Sequence, residues 1–468
     1  MATIIEQEPL YPQLPVGQDV IFTVSNATLV STKTKVKFIA RVYISELPIT
    51  VATSTPVGTF KTTPNNAGVG MFDFRPIIEN FVSADNLAGL LSEYKLDPTT
   101  ADSPHSIHLI DKYSTNTNIA RYLKVEFGIE YLGATNCAGE QDDNVVREDC
   151  GEEVESTEYT LFNGYLKYTD SLDVFNAEFG YDLGNFNLSS ATDKFLTNAP
   201  TTQYANIDDY GTLSILTPND NLDSITLAFT DSAGGSLGGE SIDKVIANGV
   251  TSWDTKSENQ ILHLGCFPAN LQNWSTIFQG LVSAGTIQGG QISVKAYATG
   301  IGNQISQEYV INVNCPTQKG YESIRLTWLN QWGVWDYYTF NMKSTRTIST
   351  KGSTYQQLEG SWNESTYRVD SFRGGKKTFR VNATEKIKMN TDFVSEADSE
   401  WFEELINSPE VYILEGFQTD GIFAALNNYV TPARLTTSSF VRKTVANDKL
   451  MQYTFEVEKT KTLRTQSV

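Results

Sequence analysis

Histidine is the side chain that metal sites and general bases use most often, and this chain has three: His105, His108 and His263. His105 and His108 lie in SPHSIHLI, which is typical of a loop entering a strand. On a strand, their three-residue spacing places the two side chains on opposite faces, and no glutamate completes a zinc-protease pattern. His263 lies between two leucines and is predicted to be a paired sheet residue. We expect no metal site at these positions.

The four cysteines form no CxxC pair, so the spacing of a zinc ribbon or a redox pair is missing. Cys137 and Cys150 flank an acidic loop, CAGEQDDNVVREDC, and an oxidising setting would allow a disulfide between them. Cys266 and Cys315 follow strand-like runs and are expected at buried apolar positions. A cytoplasmic origin favours free thiols at all four positions, but the sequence leaves the pairing of Cys137 with Cys150 open.

No motif for catalysis or cofactor binding stands out in this sequence. It has no Walker loop and no GxGxxG after a strand, and the GGSLG within DSAGGSLGGE is flanked by strands with no helix start, so it predicts a flexible hairpin and not a nucleophile elbow. The acidic loop lacks the spacing of a calcium-binding hand; its oxygens could hold Ca²⁺ weakly, but a solvated loop is the preferred interpretation. Two carboxylates could still meet in the fold as in a glycosidase, although no local pattern indicates it. We predict a protein that is not an enzyme, without catalytic, cofactor-binding or metal-binding residues.

The densest chemical feature is the aromatic run IRLTWLNQWGVWDYYTFNMK, residues 324–343. It predicts a β-hairpin with its turn at Asn330 to Gly333, where glycine tolerates a positive φ. Aromatic side chains then occupy both faces of the strand pair. One face is expected to line the module's core, and the other to meet something else: the neighbouring sandwich, another subunit or a ligand. The candidate interface residues are Trp328, Trp332, Trp335, Tyr337 and Tyr338.

The composition predicts a mainly β protein. Hydrophobic residues make up 40 % of the 468 residues, charged residues 19 % and aromatic residues 11 %, and long helix-forming segments are nearly absent. Alternating runs predict two immunoglobulin-like β-sandwich domains and a C-terminal α+β module with one clear helix. The expected ranges are 1–132 for the first sandwich, 133–157 for an acidic loop or linker, 158–318 for the second sandwich and 319–468 for the module.

Helices are predicted at four places. The one clear helix is DSEWFEELIN, because Ser395 and Asp398 form a capping pattern and Pro409 stops it. Pro76 favours a short helix in its vicinity, and LQNWSTIFQGLV predicts one more between two strands. A further helix is predicted in ADNLAGLLSEYK. KKTFRVNATEKIKMN is predicted to be a pair of strands.

Charge is distributed unevenly along the chain. The formal net charge is −20, yet residues 321–468 carry 18 basic and 18 acidic residues, so the whole excess lies in residues 1–320. A field of this sign disfavours nucleic-acid binding. The neutral C-terminal part is the candidate for packing against other proteins. MATIIEQEPLYPQLP has no signal-peptide pattern, and no stretch of the chain approaches the roughly 20 apolar residues that span a bilayer, so we expect a soluble product made in a cytoplasm, without membrane insertion.

Three stretches carry a resemblance to a known class of proteins. They are LTWLNQWGVWDYYTF preceded by VNCPTQ, the C-terminal SPEVYIL with VTPARLTTSSFVRKTVANDKLMQYTFEVE, and the N-terminal GTFKTTPNNAGVGMFDFRPIIENFV. The chain resembles uncharacterised virion proteins of tailed bacteriophages, notably from Bacteroidetes hosts and marine samples. The resemblance implies a structural component present in repeated copies, and it brings no catalytic residues and no cofactor.

Three functions therefore stand as hypotheses. The first is a virion structural protein of the tail, baseplate or tail tip, made in the bacterial host cytoplasm, with copies of itself and other virion proteins as partners. The second is a capsid decoration or head-fibre protein. The third is a carbohydrate-binding receptor protein, in which Trp332, Trp335 and Tyr337 stack on the sugar rings of a host-surface glycan.

Overall fold

A computed structural model describes most of the chain. The described residues are 3–82, 112–116, 120–167, 183–216, 222–243, 245–246, 250–251, 261–298, 302–315, 320–363, 365–415, 430–437, 439, 441 and 451–467. They fold mainly as β-strands with a small helical part, which confirms the predicted fold class. No helix among them is both long and apolar enough to cross a membrane. The predicted helix in ADNLAGLLSEYK lies outside the described residues.

Contacts divide the chain into two compact units. Unit 1 comprises 1–315, 329–336 and 418–423, and unit 2 comprises 316–328, 337–417 and 424–468. The turn of the predicted aromatic hairpin therefore belongs to unit 1, whereas most of its two strands belongs to unit 2.

The N-terminal strands of unit 1, apart from the strand Tyr113–Asn116, form a three-stranded sheet and a larger sheet. The strands are β1 (Ile4–Gln7), β2 (Gln13–Pro15), β3 (Ile21–Ser25), β4 (Lys37–Ser45), β5 (Gly58–Thr62), β6 (Val69–Asp73), β7 (Tyr113–Asn116), β8 (Ala120–Leu132), β9 (Val146–Glu148), β10 (Val154–Glu155) and β11 (Tyr159–Phe162). The small sheet has the order β1-β3-β6 and the large one β2-β11-β8-β4-β5, with β9 and β10 also paired to β8. Strand β8 alternates over part of its length, because Leu123, Val125, Phe127 and Ile129 are fully buried whereas Lys124 and Glu126 are partly exposed.

Pairing places some residues differently from the sequence-based ranges. β9 and β10, inside the predicted linker, are strands of the first large sheet. β11, expected to open the second sandwich, pairs with β2 and β8. β7, expected in the first sandwich, pairs with a strand from later in the chain. Local alternation identifies a strand but does not specify its neighbour, since that depends on contacts between residues far apart in sequence.

The second half of unit 1 adds nine strands: β12 (Thr202–Ala205), β13 (Leu213–Leu216), β14 (Ser224–Thr230), β15 (Ser236–Asp243), β16 (Val245–Ile246), β17 (Val250–Thr251), β18 (Ile261–Leu264), β19 (Gln291–Tyr297) and β20 (Tyr309–Val313). A five-stranded sheet has the order β12-β20-β19-β14-β15, and a three-stranded one has the order β13-β18-β7. Their inward side chains share one large core.

Unit 2 contains the strands β21 (Ile324–Leu329), β22 (Trp335–Phe340), β23 (Thr345–Gln357), β24 (Gly360–Asn363), β25 (Thr366–Val369), β26 (Gly375–Asn390), β27 (Val411–Leu414), β28 (Val430–Leu435), β29 (Thr454–Lys459) and β30 (Arg464–Ser467). The main sheet has the order β22-β21-β27-β28-β29-β26-β23, and β30 pairs with β26. The prediction of two strands in KKTFRVNATEKIKMN is wrong, because this segment lies within the single strand β26. It contains no glycine or proline after Gly375 that would break the strand.

The helices are α1 (Ala27–Thr32), α2 (Arg75–Ile78), α3 (Pro268–Trp274), α4 (Thr276–Ala284) and α5 (Glu396–Asn407). The helix at Pro76 and the capping pattern of α5 are confirmed: the Ser395 hydroxyl accepts from the Asp398 N–H, and the Asp398 carboxylate accepts from the Ser395 N–H at 2.8 Å. LQNWSTIFQGLV contributes to two helices rather than one, because Ser275 has an extended backbone and caps α4.

Candidate protein-interaction site

The predicted interface residues of strand β21 and the hairpin turn are buried. Trp328 packs on Trp401 of helix α5 with ring centroids 4.9 Å apart, inside unit 2. Trp332 lies in a core cluster of unit 1, 4.8 Å from Phe186 and 6.3 Å from Phe162. Both tryptophans are 0 % exposed, so neither can stack on a ligand or a partner in this structure.

The hairpin turn that holds Trp332 is formed as predicted. The Asn330 side chain accepts from the N–H groups of Trp332 and Val334 at 3.0 and 3.2 Å and donates to the Leu196 carbonyl at 2.9 Å. Gly333 has a φ of 76°, which confirms the positive φ expected there. A side chain at Gly333 would lie 2.2 Å from the carbonyl oxygen of Asn163, so only glycine fits.

The aromatic residues of strand β22 are also covered. Trp335 and Tyr337 are 2 % and 3 % exposed, and the Arg325 guanidinium lies 5.3 Å from the Tyr337 ring. Tyr338 is half-buried and stands edge-on to Phe402 at 4.9 Å, and burial raises the pKa of its hydroxyl. These aromatic side chains are therefore covered within the chain and do not form an exposed interface in this structure. Alternation identifies the two faces of a strand, but it does not reveal that both are covered.

An exposed surface lies elsewhere in unit 2, on a long ribbon that we call the β-arm, residues 345–383. Strands β23 and β26 pair antiparallel from Thr345↔Lys388 to Gln357↔Gly375. Twelve of the thirteen residues of β23 are exposed, as are the first six of β26. Because consecutive residues of a strand point to opposite faces, both faces of the β-arm meet solvent.

Large apolar side chains concentrate on the β-arm. Eight of the 23 large apolar side chains that are exposed among the described residues lie within its 39 positions. They are Ile348, Tyr355, Leu358, Trp362, Tyr367, Val369, Phe372 and Phe379. Single exposed apolar residues are ordinary, whereas dense groups of them are common at interaction surfaces, so the β-arm is the candidate site.

The end of the β-arm carries an aromatic pair. Strands β24 and β25 form a small hairpin in which Trp362 lies directly opposite Tyr367. Their exposed fractions are 69 % and 50 %, and Phe372, which follows, is 74 % exposed. Tryptophan and tyrosine are enriched at protein interfaces because they bury a large area while losing few rotamers.

The β-arm is basic, although the protein as a whole is acidic. Its 39 residues contain seven Lys/Arg and three Asp/Glu, a net charge of +4, so the rest of the chain has a net charge of −24. Lys376 and Lys377 are exposed near the tip. A groove of about 400 Å³ beside the arm is lined by Phe379, Arg380 and Arg464. The site thus offers apolar surface combined with positive charge.

An ion-pair network fixes the base of the β-arm. Arg346 bridges Glu322 at 2.5 Å and Glu385 at 2.9 Å, and Lys459 lies 3.5 Å from Glu385. Hydrogen bonding to Glu322 raises the pKa of Arg346 despite its partial burial. Burial by itself would raise the pKa of Glu385, but the hydrogen bond from Arg346 and the charge of Lys459 outweigh it and lower that pKa. The root of the arm is therefore held by paired charges.

A reading of the sequence misses the β-arm for an identifiable reason. TRTISTKGSTYQQ is rich in strand-forming Thr but has no alternating apolar face, so it does not read as a core strand. The available signals were a strand-prone run without a buried face, an isolated Trp362 among polar residues, and a basic cluster in an acidic chain.

The cysteines differ in part from the expectation. Cys137 and Cys150 form a disulfide with Cα atoms 5.1 Å apart, so the preference for free thiols was wrong at these two positions. Cys266 is buried as predicted, and burial raises the pKa of its thiol to about 12, whereas Cys315 is exposed. Among the described residues, one group has metal-ligand proximity, Cys137, Cys150 and Glu153, but its two sulfur atoms are bonded to each other.

The histidines are the remaining candidates for chemistry. His263 pairs with Ser214 across β13 and β18, and its Nδ1 lies 2.8 Å from the Ser214 hydroxyl, which confirms a paired sheet residue. His105 and His108 lie outside the described residues.

Comparisons with known proteins add little. No protein-family model and no curated protein matches this chain. Among solved structures, it is similar to native alpha-2-macroglobulin of E. coli, with 10 % identity over 97 % of this chain and 28 % of that one, at a TM-score of 0.17. It is also similar to MtrC from Shewanella baltica OS185, with 9 % identity over 69 % and 72 % of the two chains, at a TM-score of 0.13. The chain spans less than a third of the macroglobulin, and such scores carry no argument about this protein.

Proposed function

We propose that this protein is a non-catalytic structural component of a tailed-phage virion, in the tail, baseplate or tail tip, which assembles through its C-terminal unit. The β-arm carries this proposal, because it presents eight large apolar side chains to solvent. The sequence resemblance to phage virion proteins supplies the setting. The immunoglobulin-like character of the sandwich domains belongs to the same proposal and is supported by their largely antiparallel sheets.

Physical reasoning favours a covered β-arm in the working state. A two-stranded ribbon is marginally stable in water on its own, and each exposed aromatic ring gains free energy when a partner removes it from water. The anchored root of the arm positions these side chains before binding, which lowers the entropy lost on association. This arrangement suits a subunit that joins other subunits.

The deciding experiment is immunogold electron microscopy of tailed particles from the lysate that contains this chain, with an antibody against the purified protein. Label at one fixed position on the tail, baseplate or tail tip supports the proposal. Label on the head would assign the chain to capsid decoration or a head fibre. Intact particles without label, beside unincorporated chain in the lysate, would contradict a structural role.

A shortened arm tests the part that unit 2 plays in assembly. Residues 354–379 are replaced by Asn-Gly, which joins Ser353 to its cross-strand partner Arg380 with a two-residue hairpin turn and keeps the pairing of β26 with β30. We expect the variant to fold but to be missing from particles, as measured by quantitative blotting of purified virions. Normal incorporation would show that assembly uses another surface.

The aromatic pair at the arm tip supports a second candidate function, binding to a host-surface glycan. Exposed Trp362 and Tyr367 lie side by side on one hairpin and could stack on sugar rings, whereas Trp332, Trp335 and Tyr337, which the sequence suggested for this role, are buried. Under this alternative, Trp362→Ala with Tyr367→Ala leaves incorporation normal and abolishes adsorption to host cells. Under the assembly proposal, the same variant lowers incorporation.

A further inference from the structure

We propose that the β-arm of one copy binds an acidic surface on unit 1 of a second copy, formed by the disulfide-closed loop and the segment after it, residues 137–158, here called the acidic loop. This inference rests on the proposed assembly function and names the partner surface of the same site.

Charge complementarity identifies the occupant. The β-arm has a net charge of +4, while the remaining residues of the chain carry 28 basic and 52 acidic side chains. Copies of this chain would repel one another at most approaches, because both bodies are negative. An approach that brings the β-arm of one copy to a negative surface of the next replaces that repulsion with attraction.

The acidic loop has the densest matching charge. Its 22 residues include nine Asp/Glu and one Arg. Three of these carboxylates already belong to ion pairs: Glu140 with Arg147, Glu148 with Arg41 and Glu155 with Lys124. Asp142 and Asp143 are exposed. They provide negative charge where a neighbour can reach it.

Apolar surface accompanies this charge. Val145 and Val146 are 39 % and 36 % exposed and lie just after the two aspartates. The β-arm shows the same combination with the opposite charge, since exposed Phe372 precedes Lys376 and Lys377 by only a few residues. Each surface thus offers an apolar area beside charge, and charged rims around apolar centres are usual at protein interfaces.

The acidic loop is held in place before any partner arrives. The Cys137–Cys150 disulfide closes it, and β9 and β10 on either side of Cys150 pair with β8. A loop fixed in this way loses little conformational entropy on binding. Both proposed binding surfaces are therefore preorganised, the β-arm by the ion pairs at its base and the acidic loop by its disulfide.

Sedimentation velocity of the full-length purified chain tests this inference by charge exchange. Lys376→Glu with Lys377→Glu reverses two charges of the arm and lowers its net charge from +4 to 0, and Asp142→Lys with Asp143→Lys reverses two charges of the loop and changes its net charge from −8 to −4. We expect wild-type chains to associate, with an affinity that falls as salt rises, and each double variant to weaken association about tenfold or more. The variant that combines all four substitutions should associate more strongly than either double variant, because the substituted positions again carry opposite charges.

The matched control is Lys343→Glu with Lys461→Glu, which changes the net charge by the same amount at positions of unit 2 outside the β-arm. It should associate like wild type. Circular dichroism of every variant checks folding. A wild-type chain that stays monomeric, an arm variant no weaker than the control, or a combined variant that associates no more strongly than the double variants each overturns the inference. Salt-sensitive binding of duplex DNA by a monomeric chain would assign the arm to nucleic acid and overturn it as well.

This result is separate from the test of the proposed function. Labelled particles together with a monomeric purified chain would remove the inference and leave the virion role standing. Association that responds to the charge substitutions, together with particles that carry no label, would support the inference and contradict the virion role.

Discussion

At the scale of single residues, Gly333 is the clearest constraint in the hairpin turn. It combines a φ of 76° with a backbone oxygen 2.2 Å from where a Cβ would lie. Gly333→Ala should lower the free energy of unfolding by about 1 kcal/mol for the left-handed conformation and by roughly 1–3 kcal/mol more for the overlap with Asn163. Urea unfolding followed by fluorescence measures this loss.

Gly139→Ala is the control for the conformational part of this loss. Gly139 has a φ of 77°, and no heavy atom lies within 4 Å of the place that a Cβ would occupy, so its substitution carries the backbone cost alone. We expect a loss of about 1 kcal/mol. Equal losses for the two variants would show that Asn163 moves away freely and that the turn is not closely packed.

The residues of this hairpin also show which features the sequence predicts and which it does not. Asn330 and Gly333 predict the turn because their side-chain chemistry acts locally, on backbone groups a few residues away. The burial of Trp332 is set by Phe162 and Phe186, more than 140 residues earlier in the chain. No local pattern reports such a neighbour, so the turn was predictable and the covering of its aromatic side chains was not.

At the scale of elements, the root of the β-arm should respond to acid. The pKa of Glu385 is lowered in the folded chain, so its pairing stabilises unit 2 fully above the unfolded value of about 4.3 and is lost as pH falls through the lower folded value. We expect Glu385→Gln to melt at a lower temperature than wild type near neutral pH. The two melting temperatures should converge in acid, as followed by scanning calorimetry.

Glu359→Gln is the matched control for this element, because Glu359 is an exposed carboxylate of the same arm. Its melting temperature should follow that of wild type at every pH. A constant difference between Glu385→Gln and wild type across the pH range would mean that the ion pairs with Arg346 and Lys459 contribute no pH-dependent stability.

The elements of this fold differ in how well the local sequence predicts them. Helix α5 was predictable to its first residue, because Ser395 and Asp398 cap it with side chains three positions apart. Strand β26 was misread as two, because its outer half lacks the alternation that marks a buried face and its inner half has it. Both halves continue in one line because β23 pairs with them throughout, which is a contact between distant segments.

At the scale of the whole molecule, thiol accessibility should report the fold and the disulfide together. One cysteine is exposed, one is buried with a thiol pKa of about 12, and two are bonded to each other. Thiol titration should therefore find one reactive group in the native chain, two after denaturation and four after denaturation with reductant.

Cys315→Ser is the control for this count and should leave no reactive thiol in the native chain. Four reactive thiols in the denatured chain without reductant would show that Cys137 and Cys150 are unpaired. The acidic loop would then lack its cross-link, and the preorganisation argued for its binding surface would fall with it.

The length of the β-arm has a consequence for any assembly built with it. Strand β23 has 13 residues, which at about 3.3 Å per residue corresponds to roughly 43 Å. In an assembly that the β-arm joins, the number of residues in its strands would set the distance between neighbouring subunits. Removing two residues from each strand would shorten it by about 6.6 Å and leave every side chain on its original face. The repeat distance of the assembly could then be changed in steps, without altering either binding surface.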